Sequence, residues 1–237
     1  MTENETSKDE TKQEQEQEHP KRNIKDMSSV AVEHRGARFF CMSIIGEVEG
    51  HTVLSPQSKT TKYEHVIPEL VQLEENEGID GVLFLLNTMG GDVEAGLAIA
   101  EMIASMSKPT VSIVLGGSHS IGVPLAVAAD YSFIVPSATM TVHPIRTNGM
   151  VIGVPQTFQY FNKVQERLTD FVVRNSKIKE TKFRQLMMET KKIANDVGTV
   201  LFGEETVECG LIDSVGGISD ALKKLREFVT EQQKTKK

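Results

Sequence analysis

A serine and a histidine are the residues of this sequence whose types and positions could perform nucleophilic chemistry together. Ser120 follows the apolar run Thr110–Leu115 and the glycine turn Gly116–Gly117, at the predicted start of a helix. A nucleophile elbow places its serine in the same way, just beyond a buried strand. A serine hydroxyl of ordinary pKa is a poor nucleophile and needs a base. His143 ends another apolar stretch and is followed by Pro144, which stops the element, so it can reach the same crevice.

The same residues also allow simpler roles. Only the Ser-Ile-Gly part of a G-x-S-x-G elbow is present, and Ser118 or Ser120 could instead cap the following helix. His119 is adjacent to Ser120 and is expected to point to another face of the helix, so we do not assign it as the base. The other histidines lie in the tail, in loops or on a polar helix face: His19, His34, His51 and His65.

A histidine base needs a carboxylate that fixes its tautomer and stabilises the imidazolium. Four aspartates are candidates, and their spacing does not choose among them: Asp92, Asp130, Asp196 and Asp213. A second glycine turn, within Asn87–Gly91, follows the apolar run Gly81–Leu86 and precedes a predicted helix. Its bare N–H groups could bind an anion or an oxyanion. A purely structural turn is the alternative.

Composition limits the function classes. The chain has 237 residues, with 26 Lys and Arg against 33 Asp and Glu, for a net charge of −7. This balance argues against a nucleic-acid binder, which would show a basic patch. Aromatic residues make up 5% and tryptophan is absent, so the core must be aliphatic. Cys41 and Cys209 are too few for a disulfide scaffold or a cysteine zinc site, so we expect a reducing compartment. We also expect a cytoplasmic location and no cofactor or metal.

The N-terminal tail and the most apolar segment bear on solubility and domain limits. Residues 1–28 are almost entirely polar, and the first 19 contain seven acids and two lysines. We predict a disordered acidic tail over 1–28 and one folded domain over 29–237. Val111–Ala129 lacks charged residues over 19 positions, the length of a membrane span. Its glycines, serines and proline favour a buried strand, a turn and a buried helix instead. We therefore expect no integral membrane segment, and no secretory signal is apparent.

The elements that must position these residues alternate along the chain, which predicts an α/β fold with a mostly parallel sheet. A polar loop is expected over His51–Thr61, a turn over Thr147–Gly149 and a frayed end over 230–237. Apolar runs predict strands at Ala37–Ile45, Gly81–Leu86, Thr110–Leu115, Tyr131–Val135, Thr139–Val142 and Leu211–Val215. Helices are predicted at Tyr63–Asn76, Val93–Met106, Ser120–Ala129, Gln156–Asn175, Lys179–Lys191, Glu204–Cys209 and Ile218–Phe228.

Four strings in order along the chain resemble one known family. They are LNTMGGDVEAGLAIAEMI, GGSHSIGVPLAVAA, MTVHP and FGEETVECGLIDSV. They resemble the Clp protease proteolytic subunit family, and especially its translocation-enhancing (TepA-type) branch, from about Arg38 to Leu225. The resemblance implies a ClpP/crotonase-like spiral of repeated β-β-α units with a protruding helical handle.

The same resemblance implies an activity. It is that of a serine endopeptidase that cleaves peptides or unfolded proteins inside a self-assembled homo-oligomeric ring. It also implies a link to pre-protein translocation or protein turnover, and an ATP-driven unfoldase as partner. The chain has no Walker A motif, so any use of ATP must come from such a partner.

Carried over position by position, the resemblance assigns the catalytic roles. Ser120 matches the nucleophile and His143 the general base. The backbone N–H groups of Gly91 and Ile121 match the oxyanion donors. The family's usual A-S-M-G-A around the serine is here His-Ser-Ile-Gly-Val.

The acid and the substrate-binding elements are carried over in the same way. Counting back from the Gly-Leu-Ile-Asp motif without gaps places Gly198 at the acid position. Asp196, two residues earlier, is assigned as the acid with a small insertion, while Asp213 matches a structural turn residue. The helix Gln156–Asn175 corresponds to the handle through which two rings meet. Gly149–Val154 resembles the strand on which substrates pair, with core packing as the alternative.

Two other functions remain open. A catalytically weak or inactive scaffold or regulatory subunit is suggested by the displaced acid and the acidic tail. A crotonase-like acyl-CoA enzyme would share the oxyanion arrangement but would use carboxylate acids and bases. The signature glutamates of such enzymes are not apparent, and the pairing of Ser120 with His143 argues against it. Membrane-bound signal-peptide peptidases of related fold use a serine–lysine pair and a membrane anchor. We do not expect this class, because no anchor segment is apparent in the sequence.

Overall fold

A computed structural model describes residues 29–34, 36–146, 152–191 and 197–235. Within these ranges nine strands form one sheet. They are β1 (Ser29–His34), β2 (Ala37–Glu49), β3 (Thr60–Lys62), β4 (Gly81–Gly91), β5 (Thr110–His119), β6 (Tyr131–Ile134), β7 (Thr139–Val142), β8 (Thr199–Phe202) and β9 (Ser214–Val215). Seven helices accompany them: α1 (Tyr63–Glu75), α2 (Val93–Ala104), α3 (Gly122–Val127), α4 (Val154–Arg174), α5 (Glu180–Met187), α6 (Gly203–Glu208) and α7 (Ile218–Thr235).

The sheet is mostly parallel, as predicted. Its main path runs β1-β2-β4-β5-β6-β9, with β3 beside the end of β2. β7 pairs with the carboxyl end of β5, and β8 pairs with β7. Antiparallel pairing within the described residues is limited to β1 with β2 and β7 with β8. The α/β prediction is therefore confirmed, and β7 is placed beside the end of β5.

The core lies on both faces of the sheet and is largely aliphatic. On β4, Phe84 and Leu86 face the layer of helices α1 to α5, while Leu83 faces the opposite side. That opposite side is covered by α7, through residues such as Leu225 and Val229. Strands buried on both faces explain the continuous apolar runs seen in the sequence.

Several predicted boundaries were wrong, because backbone hydrogen bonding extends elements through polar or glycine-rich sequence. The predicted turns Asn87–Gly91 and Gly116–Gly117 lie inside β4 and β5, whose ends pair with β2 and β7. Helix α3 begins at Gly122 rather than at the serine. The predicted frayed end continues α7 to Thr235, where Gln232 donates to the Ser107 carbonyl at 2.8 Å.

Other differences concern short strands. The strands β1, β3 and β8 were not predicted, because each is short or polar. Their extended conformation depends on backbone pairing with β2 (for β1 and β3) or β7 (for β8). The predicted strand Leu211–Val215 is reduced to β9, because the N–H groups of Leu211 and Ile212 bond to the Thr206 carbonyl of α6. The tail 1–28 and the predicted turn Thr147–Gly149 lie outside the described residues.

The predicted handle helix is confirmed as α4. Its second half is core, with Val164, Leu168, Phe171 and Val172 buried, whereas Phe158 near its start is exposed. Of the predicted substrate-pairing strand, residues 149–151 lie outside the described part. Its remainder, 152–154, is not a strand. Gly153 adopts a left-handed φ of +71° and its carbonyl accepts from Thr157, which starts the helix.

The uncharged segment Val111–Ala129 forms β5 and α3 with their connection, as predicted. In the part of the chain that the structure describes, none of the helices has both the length and the apolar character to cross a bilayer.

Candidate active site

The pairing of β5 with β7 brings Ser120 and His143 to the same edge of the sheet. The two strands run parallel, and His119 at the end of β5 pairs with Thr141 of β7. Ser120 follows directly, and its N–H donates to the Thr141 carbonyl at 2.9 Å. His143 is the first residue after β7. The carboxyl ends of neighbouring parallel strands are where sites form in α/β sheets.

The backbone of Ser120 is strained. Its φ is +57°, and among the described residues it is the one non-glycine position with positive φ. Such a conformation costs on the order of 1–3 kcal/mol and persists where surrounding structure enforces it, often at active sites. The N-terminus of α3 has no side-chain cap. The Ser118 hydroxyl donates instead to the Gly122 carbonyl at 2.6 Å. The capping role considered for these two serines is therefore wrong.

The glycine pair at the end of β4 faces Ser120. A Cβ on Gly90 would lie 2.7 Å from the Ser120 Cβ and 3.4 Å from the Ile121 nitrogen. Gly91 pairs with Val48 of β2, and the next N–H, that of Asp92, donates to the Val48 carbonyl. In a parallel ladder a residue bonds to the two neighbours of its partner. The Gly91 N–H therefore points away from β2, toward the side of Ser120.

A threonine that the sequence analysis did not single out holds this glycine pair. The Thr88 hydroxyl donates to the Gly46 carbonyl at 2.6 Å and accepts from the Gly90 N–H at 3.0 Å. Thr88 is 2% exposed. In the sequence, Thr88 is only the second polar residue after the apolar run Gly81–Leu86, which does not distinguish a supporting residue from a surface one. Among the described residues, the Thr88 hydroxyl is the side-chain group that bonds to Gly90.

The end of β2, which pairs with Gly91, carries an ion pair between a buried glutamate and a half-exposed lysine. Glu49 follows Val48 at the end of β2, is 3% exposed and lies 3.3 Å from the Lys62 ammonium. Burial raises the pKa of the Glu49 carboxyl, but hydrogen bonds from Thr60 and Lys62 and the Lys62 charge outweigh it. The pKa therefore lies below its ordinary value.

Ser120, His143 and Gly91 line one cavity of about 240 Å³. Its walls are otherwise mainly apolar, with Arg146 as the charged residue among them. The apolar residues are Met89, Val93, Val123, Val142, Pro144, Ile145, Leu168 and Phe183. Among the described residues that line it, none is acidic. Crotonase-like chemistry requires carboxylates in the pocket, so this lining does not favour that alternative.

The hydrogen bond of His143 sets its tautomer. Its Nδ1–H donates to the Pro144 carbonyl at 2.6 Å. A carbonyl only accepts, so the proton is on Nδ1 and the lone pair is on Nε2. Nε2 is the nitrogen that a general base of this type uses.

Three of the four candidate aspartates serve other purposes. Asp92 caps α2 by accepting from the Ala95 N–H at 2.8 Å. Asp130 accepts from the N–H and hydroxyl of Thr110, at the opposite end of β5 from the serine. Asp213 accepts from Ser132 and pairs with Lys177 at 2.7 Å, in agreement with the expected structural role. Asp196, the assigned acid, lies outside the described residues.

Gly198 is in direct contact with His143. A Cβ on this glycine, whose φ is +133°, would lie 2.7 Å from the His143 Cβ and 2.5 Å from the Val142 carbonyl oxygen. The ungapped position of the family acid thus adjoins the histidine but carries no side chain.

His119 does not line the cavity that Ser120 lines. This agrees with the expectation that the two side chains point in different directions. Its Nδ1 shares a 2.8 Å hydrogen bond with the Thr141 hydroxyl. Burial, together with the charge of a protonated His143, lowers the pKa of His119 below its ordinary value. These surroundings therefore favour the neutral form of the His119 imidazole.

Comparison with known proteins assigns the family. The sequence model of the Clp protease family matches residues 40–219. The chain belongs to the Clp protease family.

Among its relatives, the translocation-enhancing protein TepA of Halalkalibacterium halodurans is 59% identical over 193 residues. That match covers 81% of this chain and 75% of that protein. The ATP-dependent Clp protease proteolytic subunit 1 of Chlamydia muridarum is 26% identical over 160 residues, covering 63% of this chain and 77% of that subunit. The resemblance to the translocation-enhancing branch is confirmed.

The fold of this Clp protease family member is also that of the family. A ClpP1 point mutant from Listeria monocytogenes superimposes with a TM-score of 0.62 at 19% identity, covering 77% of this chain and 94% of that one. The expected ClpP-type α/β fold is thereby confirmed. The family is one of hydrolases that act in proteolysis.

Proposed function

We propose that this protein is a serine endopeptidase in which Ser120 is the nucleophile and His143 the general base. The observation that carries the proposal is the placement of both at neighbouring ends of parallel strands, with both lining one cavity. Ser120 holds a strained φ of +57° there, as a serine at a nucleophile elbow does. Residues 29–237 act as one domain in this proposal.

The first step is acylation. The Ser120 Oγ attacks the scissile carbonyl carbon while His143 Nε2 accepts the hydroxyl proton. The imidazolium then donates that proton to the leaving amine, and the peptide bond breaks. Because the Nδ1–H of His143 donates to the Pro144 carbonyl, Nε2 carries the lone pair that accepts the serine proton. Water repeats the sequence on the acyl-enzyme and releases the second product.

The oxyanion is held by backbone N–H groups. We assign this role to Gly91 and to Ile121, the residue after the serine. Glycine at position 90 keeps the approach to the Ile121 nitrogen open, since a Cβ there would lie 3.4 Å from it. Loss of one such donor costs about 10²–10³ in rate. Asp196 is the proposed orienting acid.

Labelling with a fluorophosphonate probe, which forms a covalent bond with activated serines, tests the proposal. We expect wild type to be labelled and Ser120→Ala and His143→Ala not to be. Ser118→Ala is the matched control, since it removes a buried neighbouring hydroxyl that donates to the Gly122 carbonyl. Equal labelling of wild type and Ser120→Ala would refute the assignment.

The names of two relatives support a proposal for the wider setting. The Chlamydia relative is named as an ATP-dependent proteolytic subunit, and TepA as translocation-enhancing. We propose a homo-oligomeric ring in the cytoplasm that degrades peptides or unfolded proteins, with an ATP-driven unfoldase as partner and a link to pre-protein translocation. Both cysteines are free, in agreement with a reducing compartment. Light scattering on the purified chain measures the ring, and a monomer mass would contradict it.

A second candidate function is a non-catalytic scaffold of the same fold. It is favoured by Gly198, because the residue in contact with His143 at the family's acid position has no carboxylate. Probe labelling combined with light scattering separates the two functions. A labelled ring supports the peptidase, whereas an unlabelled ring supports the scaffold.

A further inference from the structure

The last residue pair between β5 and β7 lies directly before the serine. Their pairing has only three residue pairs, of which His119 with Thr141 is the last. A pairing this short is weakly specified by backbone bonds alone. Any slip or fraying at its end would move Ser120 relative to His143, since each follows one of the two strands.

Thr141 contacts both residues that end β5. Its carbonyl accepts the Ser120 N–H at 2.9 Å, and its hydroxyl shares the 2.8 Å hydrogen bond with Nδ1 of His119. The His119 ring also lies over Gly117, where a Cβ would come within 2.4 Å of Nε2. The ring is therefore confined between Thr141 and the backbone of its own strand.

We infer that His119 and Thr141 form a clasp that positions Ser120 for reaction with His143. The inference rests on the proposed function, and it makes both of them positioning residues rather than catalytic ones. His119 suits this position because a neutral imidazole bonds to the hydroxyl without adding a positive charge near the His143 imidazolium. A lysine or arginine there would oppose that charge.

Four variants test the clasp through the rate of fluorophosphonate labelling. His119→Ala and Thr141→Val remove the side-chain bond, and we expect labelling to slow by up to about 10²-fold, the cost of a misplacement of about 1 Å. His119→Asn places an amide near the former Nδ1, and Thr141→Ser keeps the hydroxyl. Both conservative variants are expected to recover most of the wild-type rate, which a general loss of packing would not allow.

The double variant and a control variant sharpen this test. If His119 and Thr141 act through one bond, combining His119→Ala with Thr141→Val slows labelling no further than the slower single variant. His51→Ala removes a comparable bond, between Nδ1 and the Tyr63 hydroxyl at 3.2 Å, and neither of these residues lines the cavity. It should leave labelling unchanged. With a peptide substrate, kcat should fall while KM stays constant, since neither clasp residue lines the cavity.

Hydrogen exchange at the Ser120 amide tests the clasp without catalysis. Because this N–H bonds to the Thr141 carbonyl, its exchange should accelerate in His119→Ala and Thr141→Val but not in His51→Ala. If wild type is not labelled, the proposed function fails while exchange still decides whether the clasp exists. The inference would be overturned if His119→Ala and Thr141→Val both kept the wild-type rate of labelling and the wild-type rate of exchange at the Ser120 amide.

Discussion

Replacing Gly90 by alanine is expected to disable the site through a single methyl group. The new Cβ would lie 2.7 Å from the Ser120 Cβ and 2.7 Å from the His119 carbonyl oxygen. Both neighbours belong to the backbone turn that carries the serine, so neither can rotate away as the end of a flexible side chain could.

The magnitude follows from these distances. Non-bonded carbon atoms pack at about 3.5–4.0 Å, so Ser120 must move by about 1 Å. A misplacement of about 1 Å costs about 10²-fold in rate. The positive φ of Gly90, +98°, adds strain of about 1–3 kcal/mol for a residue with a side chain. Overpacking adds about 1–3 kcal/mol more. The free energy of unfolding should therefore fall by about 2–6 kcal/mol.

Gly36→Ala is the matched control for this change. Gly36 also has a positive φ, +82°, but no described atom lies within 4 Å of its would-be Cβ. It therefore isolates backbone strain from steric displacement. The labelling rate with a fluorophosphonate and the urea midpoint are measured for both variants. If Gly90→Ala is labelled as fast as Gly36→Ala, the packing of the glycine turn against the serine does not control reactivity, and the reasoning is refuted.

Three further changes test other parts of the structure. Gly198→Ala should slow labelling by displacing His143, and an unchanged rate would mean that this contact is unimportant. Glu49→Gln should flatten the dependence of the melting temperature on pH. Because the pKa of Glu49 is depressed in the folded protein, its ionised carboxylate stabilises the fold at pH values above the ordinary pKa of 4.5, and this stabilisation is lost as the pH falls below 4.5. Equal slopes of melting temperature against pH in wild type and Glu49→Gln would contradict this prediction. Leu225→Ala, on the face of α7 that is buried against the sheet, should cost about 2–5 kcal/mol in urea unfolding. It should leave the labelling of folded protein unaltered, and slower labelling would show that α7 supports the site.

The spacing of residues along the chain could not identify the carboxylate that orients His143. Spacing left four candidate aspartates, and each of the three that the structure describes is engaged by another group: the Ala95 N–H, Thr110 or Ser132. Thr88 was missed for a related reason, because a threonine at a strand end has no pattern that distinguishes a support from a surface residue. His119 was not assigned as the base and does not line the cavity, but its bond to Thr141 depends on a pairing between residues 22 positions apart.

The sequence by itself determined the alternation of apolar strands and amphipathic helices, the aliphatic core and the family. These properties are local or repeat along the chain, so periodicity and motif order are sufficient to detect them. Only the tertiary structure decided that the glycine turns are the ends of strands, and that β7 lies beside the end of β5. Such pairings are made by backbone groups that every residue carries, and side-chain type therefore encodes them weakly. The meeting of Ser120, His143 and Gly91 at one cavity is a consequence of those pairings.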